Sequence, residues 1–94
     1  MRLKPIRFSN HAELQMLLRG AGKEEVEIAV RTGKWESAKS GKFKTKYCFE
    51  FNLFSPINQK FYKYKIVEPI FADETNAIII ITVKVYYSNE EAIK

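Results

Sequence analysis

Apolar residues in the first third of the chain recur at the spacing of amphipathic helices. Ser9 or Asn10 is a candidate N-cap, because Glu13 follows Asn10 by three residues, as in a capping box. Gly20 stands where a residue in the left-handed conformation commonly ends a helix. The spacing predicts a first helix whose buried stripe comprises Leu14, Leu17, Leu18 and Ala21.

A second helix is predicted to begin near Lys23 and to end at Gly33. Glu24 and Glu25 suit the positive end of its dipole. Because helices this short are marginal on their own, both are expected to pack on a larger element. The residues predicted to face inward are Val26, Ile28, Ala29 and Val30.

From Lys42 the pattern changes to a strict alternation of apolar and polar residues, which predicts a β-strand. The apolar face comprises Phe43, Thr45, Tyr47, Phe49 and Phe51. The opposite, lysine-rich face comprises Lys42, Lys44, Lys46, Cys48 and Glu50.

Two further strands are predicted, at Phe61–Phe71 and Ala77–Tyr87, with a polar turn at Ala72–Asn76 between them. Pro69 cannot donate to a ladder, so the far end of the earlier strand is predicted to lie at an edge, a bulge or a break. One face of the last strand is predicted to carry Ile79, Ile81, Val83, Val85 and Tyr87, and the other Ile78, Ile80, Thr82, Lys84 and Tyr86.

These elements predict a single α+β domain over residues 1–94, with two N-terminal helices on an antiparallel sheet of three strands, or of four. Ser88 with Glu91 is a candidate cap for a short terminal helix. Cys48 is the only cysteine, so an intrachain disulfide is excluded. The chain also lacks the paired cysteines and histidines of zinc frameworks, and no metal or cofactor is expected.

Positive charge is concentrated in the first half of the chain. Residues 1–48 hold eleven basic and five acidic residues, whereas residues 49–94 hold five and six. Such a field attracts polyanions, although a solvated lysine face that favours solubility has the same composition. The start of the chain has no apolar run of a secretory signal, and Ala77–Val83 is shorter than the roughly 20 residues of a membrane span. A cytoplasmic protein without a membrane partner is therefore expected.

Two groups of polar residues are candidates for a nucleic-acid site. His11, Gln15 and Arg19 lie along the first helix, where such a polar line is either an anion-binding edge or an ordinary solvated surface. On the sheet, lysines interleaved with tyrosines can contact phosphates and stack on bases, provided that the strands pair as hairpins. This second group comprises Lys44, Lys46, Lys63, Lys65, Thr82, Lys84 and Tyr86.

The ordered motifs resemble those of a bacterial domain family of unknown function, number four-two-five-eight in its series. They begin with Phe8–Ala12, Arg19–Gly20 and Glu24–Glu27, and continue with Tyr62–Glu74 and Ile81–Tyr87. The resemblance implies a fold like the small RelE- and BrnT-type toxins, many of which are ribonucleases. The family's helix motif reads His-Ala-x-x-Arg with a second arginine four residues on. His11 and Arg19 match this motif, whereas Gln15 stands in place of the first arginine.

Two functions follow as hypotheses. In a metal-independent endoribonuclease, His11 would be the general base on a ribose 2′-hydroxyl, Arg19 and sheet lysines would stabilise the phosphorane, and Tyr86 or a lysine would protonate the leaving oxygen. In a non-catalytic module, the same surface would bind RNA or a protein partner such as an antitoxin. Both require that the imidazole and the sheet lysines share one cleft.

Overall fold

Two helices, α1 (Asn10–Arg19) and α2 (Lys23–Thr32), pack on one face of a six-stranded mixed sheet in the computed structural model, which describes residues 4–90. The predicted α+β class and both helices are confirmed, but the predicted count of three or four strands is wrong. The helix predicted from Ser88 with Glu91 extends outside the described residues. The strands are β1 (Ile6–Phe8), β2 (Glu36–Ser37), β3 (Phe43–Lys44), β4 (Tyr47–Phe54), β5 (Phe61–Asp73) and β6 (Ile78–Ser88).

The long β5–β6 hairpin forms the centre of the sheet, whose order is β1-β6-β5-β3-β2, with β4 paired to β5 beside β3. The β1–β6 pair is parallel and the other pairs are antiparallel. Residues 1–8 are predicted from the sequence to be extended, with Ile6 and Phe8 on one side, and β1 lies there. The sequence pattern missed β2, because a strand of two residues is too short to show a period of two.

Pro69 interrupts the ladder that β5 forms with β3 and β4, in agreement with the predicted break. Lys44 lies opposite Ile70 and Tyr47 opposite Val67, so β3 and β4 follow one register along β5. Between them, the Thr45 N–H donates to the Pro69 carbonyl at 3.3 Å. Pro69 has no N–H with which to return the bond, and β3 and β4 therefore separate at this point.

The ends of both helices follow the sequence signals. The Ser9 hydroxyl accepts a hydrogen bond from the Ala12 N–H at 3.0 Å and caps α1. Gly20 ends that helix in the left-handed conformation, with φ 85°. At the start of α2, the Glu25 carboxylate accepts from the Gly22 N–H at 2.9 Å, and Gly33 follows its last residue.

The buried side of α1 differs from the prediction. Ala12 and Met16 face the core, whereas Leu14, Leu17 and Leu18 are 54%, 78% and 64% exposed. The helix lies along β6, which among residues 4–90 has no further strand beside it after its pairing with β1 ends at Ile80, so only a narrow stripe of the helix is buried. In α2, the predicted burial of Val26, Ala29 and Val30 is confirmed, but Ile28 is 42% exposed.

A bulge in β6 reverses the predicted faces at the start of that strand. Phe71 pairs with Ile80 and Ile70 pairs with Thr82, so Ile81 is an extra residue. Because one inserted residue inverts the alternation, Ile78 and Ile80 join Val83 and Val85 in the core instead of facing away from them. Thr82, Lys84 and Tyr86 keep their predicted common face.

Candidate nucleic-acid interface

The sheet has one face covered by the helices and one that neither helix covers in residues 4–90. On the covered face, Val67, Phe71 and Val83 pack with Ala12 and Val26 in the core. Side chains alternate along each strand, so the neighbours of these core residues project from the uncovered side. We call this side the open face, and define it as Lys44, Lys46, Cys48, Ile66, Glu68, Ile70, Thr82, Lys84 and Tyr86.

The open face consists of three rows that cross the strands. Lys44, Ile70 and Thr82 form one row, and Cys48, Ile66 and Tyr86 form another. In the row between them, Glu68 lies opposite Lys84, and the register from Lys44 to Tyr47 places Lys46 on the other side of Glu68. Three amines and an aromatic ring, 49% exposed in the case of Tyr86, therefore share one surface.

Each of the three amines is available for an external anion. The ion pairs within residues 4–90 involve other lysines, namely Lys4, Lys23 and Lys65. Glu68 and Lys84 are cross-strand neighbours without an ion pair within 4.0 Å. A bound phosphate would therefore not have to displace an internal carboxylate from Lys44, Lys46 or Lys84.

Lys65 does not belong to this surface, which corrects the sequence prediction. Its partners across the strands are Phe49 and Tyr87, so it projects toward the helices. Its Nζ donates to the Gly20 carbonyl at 2.9 Å and lies 2.8 Å from the Glu25 carboxylate, with the side chain 8% exposed. Lys63, two residues earlier in β5, has the same orientation and is exposed at the end of the strand. The orientation of both lysines could have been found from the sequence, because they are spaced by multiples of two residues from Val67 and Phe71.

Gln15 and Arg19 hydrogen-bond to the backbone of β6 where that strand has no further strand beside it in the described part of the chain. β1 pairs with β6 only as far as Ile80, so the backbone of Val83 would otherwise lack partners on that side. The Gln15 Oε1 accepts from the Val83 N–H at 2.9 Å, and the Arg19 Nη1 donates to the Val83 carbonyl at 2.9 Å. Both side chains thus satisfy buried backbone groups, a role that the helical spacing alone could not reveal.

The predicted catalytic group is not assembled. His11 is exposed in the first turn of α1 and belongs to the helix layer. The Arg19 guanidinium is hydrogen-bonded to Val83, and Tyr86 projects from the opposite, open face. His11, Arg19 and Tyr86 therefore do not line one cleft.

Two depressions adjoin Lys44, and both contain charged residues outside the predicted set. One is a cleft of about 370 Å³ at the end of α2, and the other is a wider, shallower groove of about 590 Å³. The cleft is lined by Thr32, Gly33, Lys34, Glu36, Lys44, Thr45, Lys46, Tyr47 and Glu68. The groove is lined by Ser37, Ala38, Lys39, Lys44, Ile70 and Lys84.

Sequence reasoning missed Lys34, Lys39, Glu36 and Glu68 as site residues. Lys34 and Lys39 lie in connections that have no strand or helix periodicity, and their only signal was the concentration of lysines in this part of the chain. No group of three or more potential metal ligands occurs in the part of the chain that the structure describes.

Comparison with known proteins gives no relative: no family model, no curated protein and no solved structure matches the chain. The likeness to RelE- and BrnT-type toxins therefore stays a prediction. Among residues 4–90, no helix is long and apolar enough to cross a membrane.

Proposed function

We propose that this protein is a non-catalytic module that binds single-stranded RNA on its open face. The observation that carries the proposal is the common orientation of Lys44, Lys46 and Lys84 with Tyr86, on a side of the sheet that neither helix covers. The net charge of +5 favours encounter with a polyanion.

The chemistry of the open face suits a strand whose bases are unpaired. Proteins bind such strands with cationic groups along the backbone and with aromatic rings on which bases stack. Tyr86 offers an exposed ring, and the half-buried Ile70 offers apolar surface on the central strand. Ile70 lies directly opposite Lys44, so a base on Ile70 is within one strand spacing, about 5 Å, of that lysine.

Binding is favoured over cleavage because the groups required for cleavage lie apart. His11 belongs to the helix layer, and the Arg19 guanidinium already donates to the Val83 carbonyl. Of the lysines predicted to stabilise the phosphorane, Lys44, Lys46 and Lys84 project from the side of the sheet opposite His11. Binding requires only the amines and rings that share the open face.

The proposal is tested by measuring the affinity for a short labelled oligouridine over a range of salt concentrations. A single-stranded ligand loses affinity with a log–log slope of about −0.7 per phosphate contact, so three lysines predict a slope of about −2. Lys84→Gln should reduce the slope to about −1.4. Tyr86→Ala should weaken binding by about 1–3 kcal/mol and leave the slope unchanged.

Lys63→Gln is the matched control, because Lys63 is exposed on the same sheet but projects from the other side. It removes the same charge and should change neither affinity nor slope. Equal losses in Lys63→Gln and Lys84→Gln would show that only net charge matters, and would contradict binding on the open face.

A further inference from the structure

The cleft at the end of α2 differs from the rest of the basic surface in containing unpaired charges of both signs. Lys34, Lys44 and Lys46 line it together with Glu36 and Glu68. None of these five side chains takes part in an ion pair within residues 4–90. Binding of phosphates alone does not account for these two carboxylates, since each of them repels the phosphate backbone of a nucleic acid.

The cleft also has the size and walls of a small-ligand site. Its volume of about 370 Å³ falls within the range of pockets for small organic ligands. Tyr47 is the aromatic residue of its lining.

These features define the ligand by its chemistry. It must offer anionic oxygens to ammonium groups and N–H donors to a carboxylate. A nucleotide has both, and guanine is the only standard base with two adjacent N–H donors on its Watson–Crick edge. A carboxylate accepts two parallel N–H bonds from such an edge, as it does from a guanidinium.

We infer that the cleft binds one guanine nucleotide, with Glu68 accepting from the base and Lys34 contacting the phosphate. Glu68 is the better candidate than Glu36 because it is half-buried in the central strand, whereas Glu36 is exposed. The inference rests on the proposed function, since the cleft adjoins the open face at Lys44, Lys46 and Glu68. It adds a base preference that stacking on the open face does not provide.

The test is a titration of the isotopically labelled protein with guanosine and cytidine monophosphate, followed by NMR. A bidentate base contact discriminates by roughly 5- to 150-fold, so the wild type should bind the guanine nucleotide at least about fivefold more tightly. Glu68→Gln should abolish this preference. Lys34→Gln should weaken the binding of both nucleotides and leave the preference for the guanine nucleotide unchanged.

Glu50→Gln is the matched control for Glu68→Gln, because Glu50 also projects from the uncovered side of the sheet but does not line the cleft. Both substitutions add one unit of positive charge, and only Glu68→Gln should remove the base preference. Equal affinities for the two nucleotides in the wild type, or a preference that survives Glu68→Gln, would overturn the inference. Oligouridine contains no guanine, so its binding to the open face tests the proposed function separately.

Discussion

Lys65→Met tests whether that lysine belongs to the fold or to a binding surface. The ammonium group donates to the carbonyl of Gly20, the residue that ends α1, and pairs with Glu25 in the first turn of α2. It also lies 5.2 Å from the centre of the Phe51 ring. One side chain thus joins both helices to the central strand.

The expected cost follows from the groups that Lys65→Met leaves behind. Methionine retains the apolar stem, so the loss is confined to the ammonium group and its partners. Hydrogen bonds to charged groups contribute about 1.5–3 kcal/mol, and removal of one member of a buried ion pair costs about 3–5 kcal/mol. Because the Glu25 side chain is 26% exposed and can be partly hydrated, we expect a loss at the lower end, about 2–3 kcal/mol.

Urea unfolding followed by circular dichroism measures this loss, which corresponds to a fall in Tm of roughly 10–20 °C for a domain of this size. Lys63→Met is the control and should change the free energy of unfolding by less than about 0.5 kcal/mol. Glu25→Gln in addition to Lys65→Met should recover part of the loss, because it removes the unpaired carboxylate. A Lys65→Met variant with native stability but weakened RNA binding would refute the structural role.

Three other perturbations test separate parts of the structure. Gly33→Ala should destabilise by about 1–3 kcal/mol in urea unfolding, because the new Cβ would lie 2.0 Å from the Thr45 hydroxyl oxygen, whereas Gly22→Ala meets no such contact; equal stabilities would contradict this packing. Burial, reinforced by the Glu25 carboxylate and opposed by the Ser55 hydroxyl, raises the pKa of Tyr87 above 10.0. The neutral phenol is thus favoured in the folded state, so its contribution to the free energy of unfolding is complete below about pH 10 and is lost as pH rises through the folded pKa. Tyr87→Phe should flatten this loss of stability at high pH, as measured by urea unfolding. A dependence of stability on pH that is the same in Tyr87→Phe would exclude Tyr87 as its source. His11→Ala should leave oligouridine affinity unchanged, and a marked loss would bring the helix layer into the binding site.

The elements with a long, regular pattern could be predicted from the sequence, and the short or irregular ones could not. The alternation from Phe43 to Phe51 identified both faces of β3 and β4, although it predicted one continuous strand. The bulge at Ile81 was not predictable, because four consecutive isoleucines give no indication of where the alternation reverses. The outward position of Leu17 follows from the location of α1 at the sheet border, which depends on the whole sheet.

The candidate site could be predicted in part for the same reason. Lys44 and Lys84 lie on strands, and Lys46 lies between β3 and β4, where the polar face was correctly identified. Lys65 was misassigned because its charge was taken to indicate exposure, although it has the same parity as Phe71 in β5. Its actual partner is a glutamate forty residues earlier in the chain, and such pairing depends on the tertiary structure.

Mapping the RNA contact residue by residue shows whether RNA binds on the open face. In an NMR titration of the labelled protein with oligouridine, we expect the largest amide shift changes at 44–48, 66–70 and 82–86, with little change in α1. Changes concentrated around His11 and the exposed leucines of α1, with the amides of Lys84 and Tyr86 unaffected, would contradict binding there.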